Sequence, residues 1–430
     1  MIASGKMLKV LFETSHPWNT FKDPCNIRYT NQHEGIVHSS NLCTEITLHT
    51  KASKYKSGEK TEVGETAVCN LGSVNLYNHL KESKKSIDYK KLESTIHTAL
   101  RMLDNVIDLN FYPTKEASNS NLRNRPVGLG MMGLHDVLHA LNINIDSDES
   151  VKFNDEIFEF YSMHAIYASS ILAQERGAYD TYKHSLWDQN IFPIDSYNNL
   201  MVYRGKQKVP ESSSTGMPLT GKGQTLKEDW KKVRIHVKEH GMRNSNVMAI
   251  APTATIGYIN GVEQSIEPNF SVLFVYENKS GNFYITNEHF IDDMKKEGLW
   301  NSEISSLIKK VDGDLSLLNG DIPDYIKNKY KTAFDRDMFK LIECNAVRQK
   351  WIDQAVSFNL YNKETSMKYL NDIYFNCWDA GLKTTYYLRN RAASKIEKST
   401  SDDASNSEPA EPSACSLEAM ANGGSCESCQ

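Results

Sequence analysis

The stretch SNVMAIAPTATIG, residues 245–257, changes character at one proline. Up to Ala251 it is a short apolar run; from Pro252 it is a turn of small and hydroxylated residues. An apolar run bounded by turn residues reads as a buried strand. Its surroundings decide the fold class. Before it lie YKKLESTIHTALRMLDNVIDLN (89–110) and FNDEIFEFYSMHAIYASSILAQERGA (153–178), whose apolar residues recur three and four apart, as in helices; the second ends near Gly177. After it come a further strand-like run, FSVLFVYE, and helical stretches around Trp351 and Tyr369. Strands alternating with long helices predict an α/β architecture.

Further out the pattern weakens. The first 80 residues read as short strands and loops around SNLCTEITLHT (40–50) and ETAVCNLGSVNL (65–76), separated by a polar, Lys-rich insert, KASKYKSGEKTE (51–62). A loop with Pro126 and two glycines leads into VGLGMMGLHDVLHAL, and from about Tyr182 to Arg243 the composition is loop-like. Beyond about Ala393 the chain is rich in Ser, Ala, Glu, Pro and Gly, which predicts a body over 1–393 and a flexible tail over 394–430. No internal repeat of fixed period is present.

With 430 residues, 40% apolar and 24% charged, the chain has ample material for a core. The net charge of -5 is well mixed, so no basic block suggests a nucleic-acid footprint. No uncharged apolar run approaches a membrane span, and MIASGKMLKVLFE lacks the pattern of a signal peptide. The eight cysteines are spread out rather than clustered as a disulfide framework, which predicts a reducing, cytoplasmic setting.

Several short segments suit specific chemistry. In SNLCTEI (40–46), an extended backbone projects Asn41, Cys43 and Glu45 from one side. A carboxylate beside a thiol disfavours the thiolate, so the arrangement suits a neutral thiol that gives up a hydrogen atom beside an acid/base group. A buried strand with incidental polar residues is the plainer alternative. Cys69 lies in an apolar run, where a cysteine is commonly a small core residue. In APTATIG, the hydroxyls of Thr253 and Thr255 and the N–H groups of the turn can converge on an anion if a helix starts there, although the Gly-Lys pair of a Walker loop is missing and a plain polar loop fits too. Tyr386 and Tyr387 are adjacent in a strand-like run: a structural pair buries one ring and exposes the other, whereas two rings in contact can relay an electron and a proton. The terminal CESCQ holds Cys426 and Cys429; the tail adds only Cys415 and no histidine, so a dithiol exchanging with a disulfide fits better than zinc.

Together, SSNLCTEI, ETAVCNLGS, PTATIG, KTTYYLR and the terminal Cys-x-x-Cys make the chain resemble the large, catalytic (alpha) subunit of class I ribonucleotide reductase, from about Phe12 to Gln430. The resemblance implies the C-terminal part of a ten-stranded α/β barrel, with the radical cysteine on a central finger loop. It implies reduction of ribonucleotides, expected to be ribonucleoside diphosphates, to 2′-deoxyribonucleotides. Cys43 would be the thiyl radical, Glu45 the proton acceptor, Asn41 a substrate hydrogen-bonding and proton-moving residue, and Cys69 one of two redox-active cysteines. Thr253, Ala254, Thr255 and Ile256 would hold the substrate phosphates, and Tyr386 and Tyr387 would relay the radical. Cys426 and Cys429 would exchange with thioredoxin or glutaredoxin. No cofactor or metal is expected in this chain, because the radical would come from the metal cofactor of a small subunit. Family members carry several hundred residues before the segment matched by LFETSHPWNTFKDPCNIR, and Cys25 in that segment does not match the partner of Cys69. The expectation is therefore half a pocket in a split enzyme, completed by an N-terminal reductase fragment that also carries the ATP and deoxynucleotide effector sites. A non-catalytic scaffold or binding subunit is the competing expectation.

Overall fold

The proline-bounded run sits inside a sheet, and backbone hydrogen bonds place it there. In the computed structural model, which describes residues 5–210, 226–278, 281–318, 320, 322–364 and 366–390, Val127 and Leu129 donate to the carbonyls of Asn246 and Val247 at 3.0 and 2.9 Å. On the other side Ile250 donates to Ala355 at 3.1 Å and Ser357 donates to Ile250 at 2.9 Å. Both pairings are parallel.

The chain enters this sheet by way of α1 (Gly5–Thr14), α2 (Lys22–Ile27) and a small antiparallel hairpin, β1 (Lys54–Lys56) with β2 (Glu59–Glu62). Then follow β3 (Asn70–Asn75), the long α3 (Tyr89–Leu109), α4 (Lys115–Asn124) and β4 (Val127–Met132), which pairs parallel with β3. Helices α5 (Leu134–Ala140), α6 (Asp148–Arg176), α7 (Pro193–Tyr203) and α8 (Leu226–His240) lead to the run at 246–250, and α9 (Ala254–Ile259) follows it directly. A hairpin, β5 (Leu273–Asn278) and β6 (Gly281–Thr286), and helices α10 (Glu288–Lys296), α11 (Ser302–Lys310) and α12 (Asp324–Lys329) come next. Finally α13 (Met338–Gln349) leads to β7 (Leu360–Asn362), and α14 (Met367–Asp379) leads to β8 (Leu388–Asn390), parallel to β7.

The resulting order is β3, β4, 246–250, 354–362 and 384–390, with residues 19–21 added antiparallel beside Thr384. Parallel strands require long crossovers and covered faces, which the helices supply. Helix α3 buries Leu92, Ile96, Leu100, Leu103 and Ile107 on one face, while α6 is buried nearly all round. The glycines of VGLGMM allow close approach of strands: a Cβ at Gly130 would lie 2.7 Å from the Ala249 carbonyl, and one at Gly128 2.9 Å from the Ala249 Cβ. A second apolar cluster joins α10, α11 and α12 through Phe290, Met294, Ile304, Ile308 and Ile326.

The α/β expectation holds, and α3, α6, β3, β5 and α14 fall where the periodicity puts them. Among the described residues, however, β3 pairs only with β4 and no closed barrel is formed. Four local readings are corrected. Residues 40–50 form no strand: Asn41 accepts from the Thr44 N–H at 3.1 Å, and Thr44 is left-handed with φ 69°, so the segment turns at the cysteine. The Lys-rich insert forms the β1–β2 hairpin. The segment read as loop-like contains α7 and α8, the latter because Trp230, Val233 and Val237 keep an apolar spacing within a charged sequence. The helix near Trp351 ends at Gln349, before that residue. The tail 394–430, with Cys426 and Cys429, lies outside the described residues.

Candidate active site

Because 40–46 turns rather than extends, Asn41 and Glu45 meet across the turn instead of along a strand. Asn41 Nδ2 donates to Glu45 Oε1 at 2.9 Å, and Asn41 Oδ1 accepts from the Ile46 N–H at 3.1 Å. The Glu45 carbonyl accepts from the Ala355 N–H at 2.9 Å, so the turn is pinned to the sheet. Two residues further along that segment, the Ser357 hydroxyl contacts both the Cys43 carbonyl and Glu45 Oε2, the latter at 3.1 Å. Glu45 is buried, which pushes its carboxyl above the ordinary glutamate range, while Asn41 and Ser357 pull it back. A poised carboxylate of this kind can take a proton at neutral pH.

Cys69 precedes β3, and Gln354 ties it to the turn. Gln354 Nε2 donates to Cys69 Sγ at 3.3 Å, while Gln354 Oε1 accepts from the Thr47 N–H at 3.3 Å. Desolvation pushes the Cys69 thiol up to about 12, and the charges of Glu45 and Asp353 act in the same direction. The thiol is therefore protonated at neutral pH, a form suited to giving up hydrogen rather than attacking as an anion.

Tyr386 is buried and Tyr387 is half-buried, but their rings are in contact, with centroids 4.3 Å apart. The Tyr386 hydroxyl donates to Cys43 Sγ at 3.6 Å. Burial first, and the Cys43 sulfur second, push the Tyr386 phenol up, so an electron leaving this ring must be accompanied by its proton. Trp18 packs against both tyrosines at 5.3 and 5.2 Å, and His16 packs against Tyr387 at 5.6 Å. The rings form a contiguous line from the surface-lying His16 to the sulfur.

Helix α9 does begin in PTATIG, with Thr253 at its N-cap in a left-handed conformation, φ 51°. Thr253 Oγ1 accepts from the Ser265 N–H at 2.8 Å, which holds the turn. A helix start presents N–H groups that the helix itself does not pair. Cys43, Thr253, Ala254, Tyr386 and Tyr387 share one pocket of about 190 Å³; Thr253, Ala254, Thr255 and Ile256 share another of about 190 Å³ with Leu71 and Ser73 of β3.

Asn41, Cys43, Glu45, Cys69, Thr253–Ile256, Tyr386 and Tyr387 thus converge from separate parts of the chain. Sequence reasoning missed Gln354 and Ser357, which hold the two cysteine segments, and Trp18 and His16, which extend the aromatic line. Polar residues interrupting the apolar run DQAVSFN were the available signal for the first two.

The chain matches the family model described as ribonucleotide reductase, barrel domain, over residues 4–388. It is 49% identical over 397 residues to the ribonucleoside-diphosphate reductase subunit alpha of Chlamydia pneumoniae, covering 92% of this chain and 36% of that protein. It is 32% identical over 397 residues to the ribonucleoside-diphosphate reductase large chain of Encephalitozoon cuniculi, covering 92% of this chain and 47% of that protein. The large subunit of Plasmodium falciparum is also 32% identical, with 45% of its length covered. The chain therefore spans between about a third and a half of the length of the curated relatives it matches.

Proposed function

The chain belongs to the ribonucleotide reductase barrel-domain family, and from that membership we propose that it carries the thiyl-radical half of an active site that reduces ribonucleoside diphosphates to 2′-deoxyribonucleoside diphosphates. The observation that carries this reading is the contact of Tyr387 with Tyr386 and of Tyr386 with the Cys43 sulfur. Tyr387 receives the oxidising equivalent from a radical-generating small subunit, and Tyr386 passes it on by taking a hydrogen atom from the Cys43 thiol. The Cys43 thiyl removes the 3′ hydrogen of the ribose while Glu45, held by Asn41 and Ser357, accepts the 3′ hydroxyl proton. The 2′ hydroxyl takes a proton from one thiol of a redox pair, Cys69 and a second cysteine outside the described residues, and leaves as water. Closing to a disulfide, the pair supplies two electrons and its other hydrogen, which goes to C2′; Glu45 gives its proton back to the 3′ oxygen, and Cys43 returns the hydrogen to C3′. Cys426 and Cys429 then reduce that disulfide by exchange and are themselves reduced by thioredoxin or glutaredoxin. The diphosphate sits on the start of α9, where backbone N–H groups favour an anion.

Two features support a pocket completed by other residues. Each pocket beside α9 falls below the roughly 300 Å³ at which small-molecule sites begin. The outer edge of β3, next to Cys69, has no strand partner among the described residues. Residues equivalent to the part of the relatives that this chain does not span supply the missing wall and the second cysteine.

Reconstitution with a polypeptide that carries those residues, a small subunit and thioredoxin tests the reading by deoxynucleotide formation. Cys43→Ser abolishes product, and Tyr387→Phe keeps substrate binding while stopping turnover. A reconstituted enzyme that remains active as Cys43→Ser would make the chain a scaffold.

A further inference from the structure

The seam between α3 and α6, away from the pocket, contains ionisable side chains that the reaction does not use. Glu93 and His97 stand one turn apart on α3, and His164 faces them from α6, with one ligand atom of each lying within 4.8 Å of the others. His164 Nδ1 is 3.8 Å from Glu93 Oε1, and the two imidazole centroids are 5.6 Å apart.

The histidines are chemically unsatisfied. The His164 side chain is only 9% exposed, and among the described residues neither ring nitrogen has a hydrogen-bond partner; His97 Nε2 is likewise buried and unpartnered there. A neutral imidazole carries one donor and one acceptor, and buried polar atoms in folded proteins almost always find partners. Here Phe160 lies against the His164 ring at 4.3 Å and supplies none.

We propose that Glu93, His97 and His164 form a binding site for a zinc-like divalent transition-metal ion that bridges α3 and α6. Two imidazoles and one carboxylate suit zinc and its neighbours, whereas calcium and magnesium prefer all-oxygen shells. The Glu93 side chain is 45% exposed, so the site has an entry path and an open position for water. A second group of similar composition, Glu34, His49 and Glu65, makes the contrast. There His49 Nδ1 meets the Tyr29 hydroxyl at 2.6 Å and Nε2 meets Glu65 at 3.0 Å, while Lys51 and Arg123 neutralise the carboxylates. That group is a satisfied ion-pair network; the imidazole nitrogens of the α3–α6 group are not paired among the described residues. Since α3 packs on β3 and β4, a bound ion would brace the wall beside Cys69.

The full chain, with Cys415, Cys426 and Cys429 replaced by serine to remove competing tail thiols, is stripped with EDTA and titrated with Zn²⁺. About one ion per chain binds and raises the unfolding temperature. Co²⁺ used as a probe gives ligand-field bands without thiolate charge transfer. Glu93→Gln, on the open flank, leaves metal-free stability in place but weakens Zn²⁺ binding by about tenfold or more, and His97→Gln and His164→Leu weaken it further. Unchanged affinity in Glu93→Gln or His97→Gln overturns the site even if His164→Leu fails to fold. Absence of Zn²⁺ binding to the unsubstituted site also overturns it and assigns the imidazoles to an ordered water.

Discussion

At the scale of single residues, Ser357 is the most informative side chain, because its one hydroxyl reaches both the backbone of Cys43 and the Glu45 carboxylate beside it. Glu45 must be ionised to take a proton, and burial raises its pKa above the ordinary value of about 4.3. The acid limb of kcat/KM is therefore expected above that value, with activity rising as pH rises. Ser357→Ala removes a donor to the ionised form, so the limb moves further up and the plateau falls as Cys43 loses its anchor; an unmoved limb would separate Glu45 from the proton transfer. The effect on stability has the opposite sense. Because the folded state holds its proton longer than the unfolded state, this group contributes most below the unfolded value, and that contribution is lost as pH rises through the raised one. The candidate residues themselves were legible because each lies in a short, chemically unusual stretch. Ser357 and Gln354 were not, because their roles arise only when the 354–358 segment pairs with the Glu45 turn, some 300 residues away in sequence.

At the scale of elements, one buried carboxylate joins several helices. Asp104 of α3 accepts from Arg125 at the end of α4 at 2.9 Å, from Arg176 in the last turn of α6 at 2.9 Å and from Asn244, just before the central strand, at 3.2 Å. Arg243 approaches it at 3.5 Å. Asp104→Ala leaves these cations short of their common partner, and the expected loss is about 3–5 kcal/mol, read as a lower urea midpoint. A loss under about 1 kcal/mol would mean that Asp108, which already pairs with Arg125, takes over. The helices that this carboxylate joins were the part of the fold easiest to read, since α3 and α6 carry long, regular apolar spacing. The parallel strands were harder, because buried runs of a few residues acquire partners only through crossovers. Helix α8 was hidden by its charged composition, which obscured the spacing of Trp230, Val233 and Val237.

At the scale of the whole molecule, the outward side of the last two turns of α3 is largely apolar where a solvated helix face would be polar. Met102, Val106 and Leu109 recur at helical spacing with exposures of 62%, 41% and 83%, and Phe111 beyond the helix end is 86% exposed. The stripe lies on the helix that covers β3, whose outer edge has no strand partner among the described residues and where Leu71 is also exposed. Contiguous apolar surface beside an unpaired strand edge marks a contact surface. The occupant consistent with the proposed function is the part of the relatives that this chain does not span, supplied in the test as a complementing polypeptide. Met102→Glu combined with Leu109→Glu tests this assignment. Because both side chains are already in water, the isolated chain should keep its unfolding midpoint to within about 0.5 kcal/mol. Its association with the complementing polypeptide should weaken by at least about tenfold, or roughly 1.4 kcal/mol, and reconstituted turnover should fall in proportion at limiting concentrations of that partner. Recovery of full turnover at saturating partner would show that the charges act on assembly and leave Cys43 and its surroundings intact. Unchanged association would instead move the completing contact off α3 and onto the β3 edge alone.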